Sequence, residues 1–167
     1  RKNFIRFLTT VLYYQQARPP VKLSDALDSQ DEAVRELSAP FIVRVVAYSL
    51  MPNHYHLLVH ELEPGGLSTY VRRLQDSYSR YFNIRFERVG PLFQGRFKRI
   101  EVRTDQYFLQ LLRYIHLNGF VARLIDSPIG YEWDSTTSYF SPSPQIELDT
   151  ELIDSMIPRE QLRSFHQ

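Results

Sequence analysis

An α+β fold, with an antiparallel sheet and helices packed on it, is what this 167-residue sequence predicts, on three observations. Two runs rich in Val, Ile and Tyr flank the turn chemistry of Met51-Pro52-Asn53, which reads as a hairpin. Apolar residues recur at helical spacing in three other stretches. Gly and Pro clusters punctuate the chain between them.

In chain order, Phe4, Ile5, Leu8, Val11 and Leu12 predict an amphipathic helix over residues 3–16. A loop from Ala17 to Ser24 carries Pro19-Pro20. Ser29 followed by Glu32 has the form of a capping box opening a short helix to about Ser38, which Pro40 stops. Phe41–Leu50 and Tyr55–Leu62 are the strands of the hairpin. Glu63-Pro64-Gly65-Gly66 breaks the chain, and Ser68 can cap a helix to about Phe82 with Val71, Leu74, Tyr78 and Phe82 inside. Phe97–Val102 alternates as a third strand. Thr104 or Asp105 can cap a helix with Phe108, Leu111, Leu112 and Ile115 buried, which Gly119 is placed to end. We expect one domain over residues 1–140. An acidic tail with a short helix should occupy residues 141–167.

Apolar residues make up 43% of the chain and aromatics 14%, enough for a folded core. Without cysteine there is neither a disulfide framework nor a thiolate metal site. No apolar run approaches membrane-spanning length and no signal peptide is recognisable, so a cytoplasmic location is the expectation. The net charge is +1, but it is unevenly spread. Nine basic residues lie between Tyr70 and Arg103, opposed only by Asp76, Glu87 and Glu101 and interleaved with Tyr78, Tyr81, Phe82, Phe86, Phe93 and Phe97. Such a stretch suits a phosphate backbone and stackable bases; it equally suits a solvated helix face whose rings turn inward.

Three of the five histidines fall in MPNHYHLLVH. Alternation along a strand puts His54, His56, Leu58 and His60 on one face and Tyr55, Leu57 and Val59 on the other, with same-face neighbours roughly 6–7 Å apart at Cα. Imidazoles at that spacing can converge on one ion and leave positions open for a substrate oxygen. Two half-exposed histidines held by ordinary packing give the same pattern. His60, one step further along, is peripheral. In LLRYIHLNG, Tyr114 and Asn118 stand at i and i+4 on one helix face, roughly 40° apart. A tyrosine is a usable nucleophile where a metal makes phosphorus electrophilic, and an amide oxygen one turn away can join the ligand set.

Five ordered blocks, YSLMPNHYHLLV, LSTYVRRLQDSYSRYFN, GPLFQGRFKRIEV, LLRYIHLNGFVARLI and YEWDSTTSY, together resemble the single-tyrosine transposases of the HUH nuclease superfamily, in particular the REP-associated tyrosine transposases. The resemblance covers roughly residues 41–140. It implies a ferredoxin-like, RRM-like HUH nuclease fold in which His54 and His56 bind the metal, Tyr114 is the nucleophile and Asn118 can join the metal. Magnesium or manganese is the implied ion. Single-stranded DNA with a hairpin is the implied substrate, cut through a 5′-phosphotyrosine intermediate and rejoined by the released 3′-hydroxyl. Arg72, Arg73, Arg80, Arg96, Lys98 and Arg99 are the expected phosphate contacts, Phe93 is expected to pin its loop, and a homodimer is possible. Tyr78 and Tyr81 rank below Tyr114 because they sit in the basic helix.

Three departures stand out. Members usually open with a strand carrying a His and an Arg-Gly turn, and this chain starts inside the following helix. Gly119 stands where proline is usual, and Ala17–Pro40 is long. Two other classes of function suit the same residues. One is a non-catalytic or domesticated nucleic-acid-binding protein that keeps the fold. The other is a zinc hydrolase, which would need a general base and further ligands from His60, His116 or a carboxylate.

Overall fold

Eight residues in a row, Val43–Leu50, form strand β1, and seven of them are buried. Met51–His54 turn the chain into β2, Tyr55–Glu61, antiparallel to it. The hairpin is the sheet of this α+β fold. A computed structural model describes residues 1–35, 40–140 and 148–166. The helices are α1 (Lys2–Tyr13), α2 (Leu23–Asp28), α3 (Glu32–Arg35), α4 (Gly66–Arg85), α5 (Asp105–Val121), α6 (Thr136–Phe140), α7 (Glu151–Asp154) and α8 (Arg159–His166). They group into two compact units: residues 1–44 with 61–99, and 45–60 with 100–167.

In the first unit, α1 packs on α4. Phe7 meets Tyr78 edge-on at 4.7 Å between ring centres, and the fully buried Tyr70 donates its hydroxyl to Val11 O at 3.0 Å. A buried phenol must find an acceptor, and a carbonyl of the facing helix supplies it. Beyond α1 the chain pairs with residues 40–42 through Ile42 N–H to Gln15 O and Ala17 N–H to Pro40 O. Helix α4 starts earlier than its sequence signals suggest. Gly65 occupies the cap position at φ 79°, and the Glu61 carboxylate accepts from Leu67 N–H at 3.0 Å, so Ser68 lies inside the helix. A Cβ on Gly66 would stand 2.6 Å from Ile42 O, so this helix start approaches backbone too closely for any side chain. Ser29 accepts from Asp31 N–H ahead of α3, whose expected end at Ser38 lies outside the described residues. Helix α2, with Leu23 and Ala26 buried, begins within the loop expected over Ala17–Ser24 and runs on through residues for which no element was expected.

In the second unit, β1 acquires a neighbour that composition did not signal. Leu50 N–H donates to Trp133 O at 2.8 Å, Ser135 N–H to Tyr48 O at 3.0 Å, and Ser49 bridges Asp134 antiparallel. Phe97–Val102, expected as a strand, has no regular structure and no strand pairing among the described residues. An alternating stretch becomes a strand only where another edge takes its backbone groups, and Ile100 is 70% exposed. Thr104 caps α5 as expected, accepting from Tyr107 N–H, and Phe108, Leu112 and Ile115 are buried beneath it.

Gly119 does not end α5, which runs on to Val121. Its hydrogen is needed because a Cβ there would lie 2.6 Å from Cγ of Tyr131, whose hydroxyl donates to Leu50 O at 2.8 Å. In a helix interior alanine is otherwise better than glycine by about 1 kcal/mol. Gly119→Ala should nevertheless destabilise by about 1–3 kcal/mol, because the clash involves the root of an anchored ring. Urea unfolding checks this; a variant as stable as the parent would show that Tyr131 can move aside.

Candidate functional site

Of the residues nominated from sequence in the second unit, His54, His56 and Tyr114 come together at the start of β2. His54 precedes the strand, is exposed, and shares a 2.7 Å hydrogen bond between Nδ1 and Asn53 Oδ1. A carbonyl oxygen only accepts, so Nδ1 carries the proton and the Nε2 lone pair is free. The His54 and His56 rings meet edge-on with centres 5.0 Å apart. His56 is half-buried, and its Nε2 is buried with no hydrogen-bond partner among the described residues. Burial, reinforced by the neighbouring His54, lowers the His56 pKa. Its imidazole is therefore neutral at physiological pH, the form a metal requires.

The Tyr114 ring also meets that of His56, edge-on at 5.4 Å between centres, and Tyr114 is 54% exposed. A tyrosine ring left in solvent is available for chemistry. The other tyrosines considered are committed elsewhere. Tyr78 is partly buried and pushed up to about 12 by that burial, and the Tyr81 hydroxyl bonds Asn3 and Arg85. Asn118 is buried; its amide nitrogen donates to Tyr114 O at 2.9 Å and Ile115 O at 3.4 Å, which leaves Oδ1 as the atom available for a ligand. Tyr114 and Asn118 thus differ sharply in exposure although they are one turn apart. His60 stands away from the pair and contacts Asp149 at 3.0 Å.

Imidazole is a borderline donor rather than a hard one, so these residues could hold a divalent ion only with positions left open to oxygen ligands. Two imidazoles and an amide oxygen make an incomplete set, and water and phosphate oxygens are what magnesium or manganese takes up most readily. Among the described residues no three His, Asp or Glu side chains converge, so a closed zinc site is not formed by them. His116, considered above as a further ligand, belongs to a different buried network.

That network was not foreseen. His116 shares hydrogen bonds of 2.7 Å with His166 Nε2 through Nδ1 and with Ser135 Oγ through Nε2, and His166 Nδ1 donates to Leu162 O at 2.6 Å. Each ring then holds one proton, and burial lowers both pKa values. Next to Ser135, Asp134 is wholly buried: Oδ1 accepts from Thr136 N–H and hydroxyl, while Oδ2 has no partner among the described residues. Burial pushes its carboxyl up to about 7. Asn53, the orienting partner of His54, was read only as a turn residue; an amide directly before the first histidine was the available signal.

In the first unit, Arg72, Arg80, Arg96, Lys98 and Arg99 are exposed. They make no hydrogen bond or ion pair among the described residues. Arg73 is different: its guanidinium donates to Gln16 O and Ala17 O, both at 3.1 Å, bracing the chain after α1. The half-buried Phe93 ring lies 6.4 Å from that of Tyr78, consistent with pinning its loop.

A model of the family Transposase IS200 like matches residues 11–118, and the chain belongs to that family. The members are enzymes that act on DNA, and the matched span includes His54, His56, Tyr114 and Asn118. No curated protein and no solved structure matched the chain. No helix of the described residues is long and apolar enough to cross a membrane.

Asp134 sets a testable pH dependence. An unfolded aspartate releases its proton near pH 4, whereas the folded one holds it to about 7. Between those values the folded state binds more protons, so this group's contribution to stability falls as pH rises through the window and is flat above it. The buried histidines act oppositely, with stability present above about 6.5 and lost at lower pH. Asp134→Asn should therefore gain stability relative to the parent by a few kcal/mol between pH 5 and pH 8. Chemical denaturation of both proteins at the two pH values measures the difference, in which the histidine terms cancel.

Proposed function

We propose that this protein is a metal-dependent single-stranded DNA endonuclease and strand transferase of the REP-associated type, acting beside DNA hairpins. The observation that carries the reading is the contact of the His56 ring with those of both His54 and Tyr114, in which the tyrosine is open to solvent and His56 has an unclaimed, buried nitrogen. His54 Nε2, His56 Nε2 and Asn118 Oδ1 would hold the ion, magnesium or manganese. Bound there, it would neutralise charge on the phosphate undergoing attack.

Tyr114 Oη attacks phosphorus and forms the O–P bond of a 5′-phosphotyrosine. The P–O3′ bond breaks, and the departing oxygen takes a proton to become a 3′-hydroxyl, while the phenolic proton passes to water. Attack by a 3′-hydroxyl on the same phosphorus reverses the step and releases the tyrosine. Energy is conserved in the phosphotyrosyl bond, so no nucleotide cofactor is required. Arg72, Arg80, Arg96, Lys98 and Arg99 contact phosphates, which makes binding fall steeply with salt. Arg73 supports α4 instead.

Incubation with labelled hairpin-bearing single strands and manganese should yield a denaturation-resistant protein–DNA adduct. Tyr114→Phe should abolish it while retaining DNA binding. Unchanged adduct formation in that variant would assign the nucleophile elsewhere. Salt-sensitive binding with no adduct for any hairpin would mean a binding protein that keeps the fold.

Removing the Asn53 amide frees the His54 ring to turn and to change tautomer. Asn53→Ala should weaken manganese binding by about 10–100-fold. His56→Ala should lower it further. Calorimetric titration in the absence of DNA separates both effects from catalysis, and equal affinity in Asn53→Ala would remove Asn53 from the site.

A further inference from the structure

On the first unit, α4 and the segment after Gly95 border a pocket of about 400 Å³, within the range of small-ligand sites. Arg72, Arg96 and Arg99 line it together with Gln75, Phe97 and one carboxylate, Asp76. The carboxylate is out of place in a surface that only holds phosphate, since a negative charge there opposes binding. Nor does it serve the arginines: Asp76 makes no ion pair or hydrogen bond among the described residues, and neither do Arg72, Arg96 and Arg99. Charges of both signs are thus unspent around one cavity, with a half-buried ring beside them.

We infer that this pocket reads a guanine base from an unpaired strand, with Asp76 as the residue that specifies it. The choice of base follows from donors and acceptors. A carboxylate only accepts and an arginine only donates. Guanine places two adjacent donors, N1–H and the N2 amino group, on its Watson–Crick edge, and two adjacent acceptors, O6 and N7, on its major-groove edge. Adenine and cytosine offer a carboxylate one amino group each, and thymine offers a single N–H between two repelling carbonyls. Asp76 takes the donor edge, an arginine of the pocket takes O6 and N7, and Phe97 supplies an aromatic surface for the base. In a duplex the N1–N2 edge is occupied by pairing, so only a single strand can present it.

This inference rests on the proposed single-stranded DNA activity, and the test keeps the two apart. The probes are thymidine 12-mers with a central dG, dA, dC or deoxyinosine, and all-dT, titrated against the full chain by fluorescence anisotropy across a salt series. The dG strand should bind about tenfold tighter than the others, and inosine, which lacks the N2 amino group, should lose most of that gain. In Asp76→Ala the five strands should bind alike, and all-dT at least as tightly as before, because the variant removes a repelling charge from an exposed position. Salt-dependent binding with no dG preference in the parent, or a dG preference that survives Asp76→Ala, overturns the base-reading pocket and leaves the DNA activity standing. Absence of salt-sensitive binding to any strand overturns both.

Discussion

Strand β1 is the constraint on which the second unit depends. A strand buried along nearly its whole length has backbone donors and acceptors that water cannot reach, so both of its edges must be occupied. One edge is satisfied locally, by β2 across a short turn. The other is satisfied from more than eighty residues away, by Trp133, Asp134 and Ser135. The Tyr131 hydroxyl on Leu50 O, and that of Tyr139 on Val46 O, add side-chain ties to the same strand. Gly119 belongs to this arrangement, because α5 can lie against Tyr131 only where it has no side chain. The helix that carries Tyr114 is thereby held by the same ring that secures the end of β1, from which the chain turns into the histidines.

The five histidines divide by environment rather than by spacing. His54 and His56 have nitrogens left over, one at the surface and one buried without a partner. His116 and His166 have none left over, since each nitrogen is matched to a serine hydroxyl, a carbonyl or the other ring. His60 is matched to Asp149. Unsatisfied nitrogens are costly in a fold unless something binds them, whereas satisfied ones specify packing. The same contrast separates Arg73, spent on backbone carbonyls, from the arginines around Asp76, which make no hydrogen bond or ion pair among the described residues.

Much was legible in the sequence because it is written in neighbouring residues. The hairpin follows from β-branched runs around Met51-Pro52-Asn53, the long helices from their apolar period and the Thr104 cap, and the ring pair from two histidines one residue apart. The ordered blocks pointed to the family that the match over residues 11–118 shows. Other features were illegible because their cause lies far along the chain. Phe97–Val102 alternates like a strand, yet no edge among the described residues receives it, while Trp133–Ser135 has no strand pattern and bridges β1 because that edge is open to it. Gly119 carries the signature of a helix end, and only the ring of Tyr131 explains a glycine inside the helix. The sequence by itself determined the hairpin, the long helices and the chemistry its side chains can offer, since these depend on local backbone preference and residue type. Tertiary structure alone decided which nitrogens, hydroxyls and charges remain unspent, because that depends on partners brought together across the fold.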